Sequence, residues 1–112
     1  MKGTHLGEFE EIVMLTVATL YDQAYGVAVM EEIERRTERS VSVGALHSAL
    51  ERLEEKGFVQ SRFGEATAER GGRRKRFFTV TAAGERALRE AWELRSGLWA
   101  AIPKAAFGGG LS

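Results

Sequence analysis

The stretch that decides the fold is SVGALHSALERLEEKGFVQSRF, residues 42–63. From Val43 to Leu53 its apolar residues step by three, four and three, which is the spacing of one face of an α-helix. Ser42 is a favoured N-cap before this helix, and Gly57 is the residue type that most often follows a helix end. The stretch therefore predicts a capped amphipathic helix that turns at a glycine and continues in another conformation.

The residues after this turn favour strands. Phe58–Phe63 and Arg76–Val80 are short segments rich in β-branched and aromatic residues. The segment between them, residues 64–75, is basic and contains glycines. We interpret this part of the chain as a two-stranded hairpin with a long loop.

Helices are predicted on either side. Upstream, apolar residues recur at helical spacing in residues 6–20 and again in residues 27–37, and a short turn separates the two runs. Downstream, Thr81 is the N-cap of a last helix over residues 82–102, which Pro103 ends. The predicted fold class is mainly α with a small β-hairpin: a winged helix-turn-helix in residues 1–81 with its wing at about 58–80, a C-terminal dimerisation helix in residues 82–102, and a flexible tail in residues 103–112.

Length and composition exclude several classes of protein. The chain has 112 residues, which suits one domain, and no cysteine, which excludes a disulfide framework and thiolate chemistry. Its longest apolar run is far shorter than the roughly 20 residues of a membrane span, and its start lacks the pattern of a secretion signal. His5 and His47 are the only histidines, and no catalytic or nucleotide-binding motif is present. We expect a cytoplasmic protein that is not an enzyme, with no cofactor, no metal and no membrane partner.

The charge is distributed unevenly along the chain. Residues 1–59 carry 6 Lys and Arg against 11 Asp and Glu, a net −5, whereas residues 60–112 carry 10 against 5, a net +5. Five cations stand in seven residues of the predicted wing: Arg70, Arg73, Arg74, Lys75 and Arg76. Such a run next to glycines favours contact with nucleic acid, at phosphates or in a minor groove. The alternative is a loop that only keeps the protein soluble.

The third predicted helix is the candidate reader of DNA bases. Its N-terminal half offers small or hydrogen-bonding side chains beside the positive end of the helix dipole: Ser42, Gly44, Ala45, His47 and Ser48. Glu51 and Glu55 in its C-terminal half would repel phosphates. The alternative is an ordinary solvated helix face.

The last predicted helix carries an apolar stripe too long for the small core to cover. The stripe consists of Leu88, Ala91, Trp92, Leu98, Trp99 and Ile102. We expect it to form a dimer interface, against its counterpart or against the first helix of a second subunit. Trp92 and Trp99 share a face, so an aromatic ligand shelf is the alternative.

Three segments together resemble the PadR family of bacterial transcriptional regulators, in its short form with a single C-terminal helix. They are Tyr25-Gly26 at the start of the second helix, SVGALHSALERLEEKG at residues 42–57, and GRRKRFFTVTAAG at residues 72–84. The resemblance implies a homodimer that binds a pseudo-palindromic operator in double-stranded DNA, usually as a repressor. It also implies a response to a small aromatic or cationic effector.

The resemblance also assigns parts of the site. It places the recognition helix at residues 42–56 and the wing cations at residues 73–76. Where the family usually has Tyr-Pro, this chain has His47-Ser48. His47 therefore either replaces a backbone contact of that tyrosine, with an imidazole whose charge depends on pH, or makes no such contact.

The sequence thus predicts a sequence-specific DNA-binding transcriptional regulator that acts as a homodimer. Two other classes of function stay open. One is a winged-helix protein-interaction module whose basic wing meets an acidic protein surface. The other is a ligand-sensing dimer that uses Trp92 and Trp99.

Overall fold

The computed structural model describes residues 6–65 and 74–108. The predicted wing cations Arg70 and Arg73 therefore lie outside the described residues. The main elements are α1 (Glu8–Leu20), α2 (Gly26–Thr37), α3 (Val43–Glu55), β1 (Val59–Phe63), β2 (Arg76–Val80) and α4 (Ala82–Ala101), with 3-10 turns at Tyr21–Gln23 and Lys104–Phe107. The predicted fold class, mainly helical with one small antiparallel hairpin, is confirmed. The flexibility of the tail stays a prediction, and its described part contains the second 3-10 turn.

The core lies where α1, α2 and α3 meet the hairpin. Its fully buried large side chains are Val13, Met14, Val17, Val29, Ile33, Leu53 and Val59. Two apolar residues at the starts of the predicted helical runs are exposed. Val27 and Val43 are 52% and 57% exposed, whereas Val29 and Ala49 are fully buried. Val43 is exposed because it is the first residue of α3, whereas Leu46, Leu50 and Leu53 of the same predicted stripe are buried.

The glycine turn after α3 takes the predicted form. Gly57 has a φ of +80°, in the left-handed region that suits glycine. Its N–H donates to the carbonyl of Glu54 at 3.0 Å, and the N–H of Phe58 donates to the carbonyl of Leu53 at 2.9 Å. This pair of bonds is the Schellman motif, which satisfies the free carbonyls of the helix end and reverses the chain. The hairpin consequently begins directly beside α3.

The two strands of the hairpin pair with each other, and the residue before α2 bridges to one of them. β1 and β2 pair antiparallel, with Val59 opposite Val80 and Phe63 opposite Arg76. On the outer side of β2, Tyr25 forms an isolated bridge to Phe77. The segment just before α2 therefore joins the start of the helix-turn-helix to the wing.

The start of α4 rests on the same turn. The Thr81 hydroxyl accepts a hydrogen bond from the N–H of Gly84 at 3.1 Å, which confirms Thr81 as the N-cap, and donates to the carbonyl of Gly57 at 2.6 Å. Gly84 packs so closely on this turn that a Cβ there would overlap the carbonyl oxygen of Phe58. Only glycine fits this position.

The far part of α4 leaves the body of the molecule. Its 20 residues span about 30 Å. The longest dimension of the molecule is 63 Å, and its radius of gyration is 17.4 Å, above the roughly 13 Å of a compact domain of about 100 residues. The C-terminal half of α4 is therefore uncovered within one chain.

Two glycines of α4 provide a matched stability test. We expect Gly84→Ala to lower the free energy of unfolding by about 2–3 kcal/mol, because the new methyl group meets a backbone carbonyl that cannot move aside. Gly97→Ala, which has open space around it in the same helix, should raise that free energy by up to about 1 kcal/mol. Urea unfolding of both variants measures the difference. Similar effects of the two substitutions would contradict the close packing of Gly84.

Candidate nucleic-acid interface

The N-terminal half of α3 presents the predicted reading residues to solvent. Ser42, Gly44, Ala45, His47 and Ser48 are all exposed, and the buried residues of α3 lie on its other side. Ser42 has a second role, since its hydroxyl accepts a hydrogen bond from the N–H of Ala45 at 3.0 Å and so caps the helix, as predicted. Direct contact of these residues with DNA stays a prediction.

A groove brings α3 and the wing together. It lies between the starts of α2 and α3 and the beginning of β2, and its volume is about 220 Å³. His47 lines it from α3, and Arg74, Lys75 and Arg76 line it from the wing. Gly44, Ala45 and Ser48 do not line it. The structure thus places one predicted reading residue and three predicted wing cations around one concave surface.

Apolar residues form the floor of the groove. They are Val27, Met30, Val43, Leu46, Leu50 and Phe78, contributed by α2, α3 and β2. The exposed valines noted above belong to this floor. Val27 and Val43 are therefore exposed because they face the groove rather than the core.

Aromatic rings hold the cations at the base of the wing. The Nζ of Lys75 lies 3.9 Å from the centroid of the Tyr25 ring, and the guanidinium of Arg74 lies 4.9 Å from that of Phe63. Tyr25 in turn meets Phe77 edge-on, with ring centroids 5.6 Å apart. Cation–π contacts at exposed sites stabilise by about 0.5–1 kcal/mol, so they bias these side chains without neutralising their charge. Arg74 and Lys75 keep their positive charge for a partner.

Arg76, the remaining predicted wing cation, has a carboxylate partner within the chain. Its Nη2 donates to Oε1 of Glu54 on α3 at 2.7 Å. The predicted run of unbalanced cations therefore holds for Arg74 and Lys75 among the described residues, and not for Arg76. Its predicted contact with DNA remains untested.

The C-terminal half of α3 is acidic, as the sequence indicated. Glu51, Glu54 and Glu55 line one shallow depression there. Phosphates would be repelled from this end of the helix. The charges therefore favour an approach of DNA to the N-terminal half.

A buried ion cluster fixes α3 against α1. Glu10 of α1 is only 6% exposed and accepts hydrogen bonds from Nε of Arg52 and Nζ of Lys56, both at 2.8 Å. The N–H of Gly7 donates to the same carboxylate at 3.1 Å. Burial alone would raise the pKa of Glu10, but the hydrogen bonds from Lys56, Arg52 and Gly7 outweigh it and lower that pKa from 4.5 to about 2. The candidate recognition helix is thus held by charge as well as by packing.

The depressed pKa of Glu10 makes stability depend on pH. The stabilisation is complete above the unfolded-state pKa near 4.5 and is lost as the pH falls towards 2. The lowering of the Glu10 pKa corresponds to a contribution of about 3 kcal/mol to the free energy of unfolding. We expect Glu10→Gln to cost about that much at neutral pH, and the difference from wild type to vanish near pH 2, as measured by urea unfolding across this range.

Glu8 provides the control for this test. It lies in the same turn of α1, and its one ion pair within residues 6–65 and 74–108 is an exposed pair with Arg39 at 3.2 Å. Such pairs contribute at most about 1 kcal/mol, so Glu8→Gln should change stability little at any pH. A Glu10→Gln variant that matches Glu8→Gln would contradict the ion cluster.

The predicted dimer stripe on α4 is largely exposed in the single chain. Trp92 and Trp99 are 69% and 71% exposed, and Leu98 and Ile102 are exposed as well. Leu88 and Ala91 are half-buried, and Leu88 packs on the chain's own core. Arg95, which interrupts the stripe, bonds Glu11 of α1. The stripe therefore begins on the chain's own body and continues without cover.

Two further observations bear on other classes of site. Within residues 6–65 and 74–108, no three His, Asp or Glu side chains come together as metal ligands. None of the helices in these ranges combines the length and apolar composition that a membrane crossing requires.

Comparison with known proteins gives the family. The model of the PadR-like family of transcriptional regulators matches residues 14–90, which include α2, α3, the hairpin and the start of α4. The chain belongs to this family. Among curated proteins no significant match exists. The PadR-like family is described as a family of transcriptional regulators.

Solved structures share the PadR-like fold. A transcriptional regulator from Clostridium thermocellum is 26% identical, with a TM-score of 0.64 over 80% of this chain and 86% of that one. A PadR family transcriptional regulator from Eggerthella lenta is 23% identical, with a TM-score of 0.66 over 88% and 86%. The complex structure of hsRosR-S1 is 22% identical, with a TM-score of 0.70 over 91% and 83%. The likeness extends across most of both chains in each case.

Some residues of the PadR-like site and surface were missed by sequence reasoning. From the sequence, Tyr25 is named only at the start of the second helix, whereas in the structure Tyr25 also bridges to β2 and carries Lys75 on its ring. Leu94 and Phe107 are exposed apolar residues near the predicted stripe, and the Phe107 ring lies 6.2 Å from that of Trp99. The sequence offers one signal for this role of Tyr25, which is an aromatic residue directly before the start of a helix. Phe107 gave no signal because it follows the proline that ends α4.

Proposed function

We propose that this chain is a sequence-specific regulator of transcription that binds double-stranded DNA as a homodimer and acts as a repressor. One observation carries the proposal: His47 of α3 and the cations Arg74 and Lys75 surround one groove. In helix-turn-helix proteins the N-terminal half of the recognition helix enters the major groove, and neighbouring cations contact phosphates. Membership of the PadR-like family supports the same function.

In this proposal the roles are divided between helix and wing. Exposed residues of α3 face the base edges: Ser42, Gly44, Ala45, His47 and Ser48. Arg74 and Lys75 contact the phosphates, together with the wing cations outside the described residues. Phosphate contacts supply affinity and α3 supplies the choice of sequence.

The first test measures binding and its dependence on salt. Fluorescence anisotropy with the duplex upstream of this protein's own gene, against a scrambled duplex, should show tighter binding to the first that persists as salt rises. Arg74→Ala should weaken binding to both duplexes and flatten the slope of log affinity against log salt by about 0.9 for each contacting subunit.

Arg86→Ala is the control for this measurement. It removes the same charge from an exposed position on α4, away from the groove. Its slope should equal that of the wild type. Equal slopes for Arg74→Ala and Arg86→Ala would remove Arg74 from the phosphate contacts, and no binding at low salt would favour a protein-interaction module.

A homodimer would cover the exposed stripe of α4. Trp99→Glu places a charge within this stripe and should convert dimer to monomer in sedimentation velocity, because an unpaired charge is costly in an apolar interface. DNA affinity should fall with it, since one monomer contacts only one half-site. Gly97→Glu puts the same charge on another side of α4 and should leave the dimer intact.

A ligand-binding role for the tryptophans is favoured by the exposure of both and by the ring of Phe107 beside Trp99. In this form of the proposal a small aromatic or cationic effector binds at Trp92 and Trp99 and releases the DNA. Titration of a varied panel of planar aromatic compounds should then quench tryptophan fluorescence and lower DNA affinity in parallel. Flat titrations across the panel would count against an effector at this surface.

A further inference from the structure

Arg76 differs from its neighbours in the wing in the partners of its side chain. It pairs with Phe63 in the register of the hairpin and shares one sheet face with Ser61 and Phe78. This face packs on the core, since Phe78 is buried. The preceding residue, Lys75, lies instead over the ring of Tyr25. All three cations line the groove, but among them only the guanidinium of Arg76 is bonded to a carboxylate of α3 in the part of the chain that the structure describes.

Three hydrogen bonds close a ring around this guanidinium. Nη2 of Arg76 donates to Oε1 of Glu54 at 2.7 Å, and Nε donates to the Ser61 hydroxyl at 3.1 Å. That hydroxyl donates to Oε2 of Glu54 at 2.8 Å. Both carboxylate oxygens are used, and the three residues come from α3, β1 and β2. The ring thus joins the candidate recognition helix to both strands of the wing.

The hydrogen-bonded ring of Glu54, Ser61 and Arg76 lies at a position in the hairpin from which it can orient the projecting end of the wing. Below it, Val59 and Phe78 are buried in the core, and beyond it Phe63 is exposed. Phe63 and Arg76 are the last pair of the ladder, and only the bond from the N–H of Gly64 to the carbonyl of Lys75, at 2.7 Å, extends it. The ring therefore lies where the packed part of the hairpin ends and the projecting part begins.

From this arrangement we propose that Glu54 and Arg76 form a clamp that sets the angle between the wing and α3. Arg76 is then a positioning residue and contacts no phosphate, and Glu54, although acidic, supports DNA binding. The inference rests on the proposed function for its consequence in DNA binding. It replaces the expectation that all of the wing cations contact phosphates.

The clamp and simple electrostatics predict opposite results for Glu54. Removing a negative charge beside a DNA-binding surface normally raises affinity. Under the clamp, Glu54→Gln should instead weaken binding to the upstream duplex by about tenfold, because the wing loses its orientation. Glu55→Gln removes a neighbouring exposed charge that has no ion pair among the described residues, and it should leave affinity unchanged or raise it.

The salt dependence separates positioning from phosphate contact. Arg76→Gln should weaken binding while leaving the slope of log affinity against log salt at the wild-type value. Arg74→Gln should flatten this slope by about 0.9 for each contacting subunit. The double variant Glu54→Gln/Arg76→Gln should bind no more weakly than the weaker single variant, since both changes open the same clamp. A flattened slope for Arg76→Gln, with unchanged or tighter binding by Glu54→Gln, would overturn the proposal.

A measurement without DNA keeps the clamp testable if the proposed function fails. Hydrogen–deuterium exchange of amides in residues 59–63 and 76–80 should be faster in Glu54→Gln and Arg76→Gln than in Glu55→Gln. The charge exchange Glu54→Arg/Arg76→Glu should restore protection, even if a single variant folds poorly. Absence of DNA binding by the wild type would reject the proposed function alone, whereas unchanged exchange in both single variants would reject the clamp.

Discussion

The left-handed turn at Gly57 is the constraint on which the remaining architecture depends. It ends α3 and reverses the chain so that β1 runs beside the helix. The carbonyl of Phe58 accepts from the N–H of Thr81 at 3.0 Å, and the carbonyl of Gly57 accepts from the Thr81 hydroxyl. Gly84 then packs on the carbonyl of Phe58. One turn thus positions the wing and the start of α4 relative to α3, and a second, distant glycine, Gly84, accompanies Gly57 because the start of α4 packs on this turn.

Ion pairs also hold α3 and the wing in position. Glu10 holds α3 on one side through Arg52 and Lys56, and Glu54 holds Arg76 on the other. These carboxylates use cations that would otherwise add to the positive surface. Arg74 and Lys75 instead rest on aromatic rings, which restrain them and leave their charge available. The net charge of zero therefore conceals a division between cations that support the fold and cations that face outward.

Most elements could be predicted because their signals are local. Ser42 and Thr81 cap helices through bonds to residues three positions ahead, and Gly57 supplies a conformation that few other residues adopt. The same local reasoning counts Val27 and Val43 among the apolar residues of their helices, yet both are exposed in the folded chain. Periodicity shows that a helix has an apolar side, but the surrounding elements decide which part of that side is covered, and here both valines form the floor of a groove.

The sequence by itself therefore determined the order of elements, their caps, the placement of positive charge in the wing and the uncovered stripe of α4. These follow from spacing and local hydrogen bonding, which operate within a few residues. Only the tertiary structure decided which charges are paired. Arg76 meets a carboxylate 22 positions away, and Glu10 meets cations 42 and 46 positions away. No periodic pattern relates residues at such separations, because their meeting depends on the packing of whole helices and on the direction in which the Gly57 turn sends the hairpin.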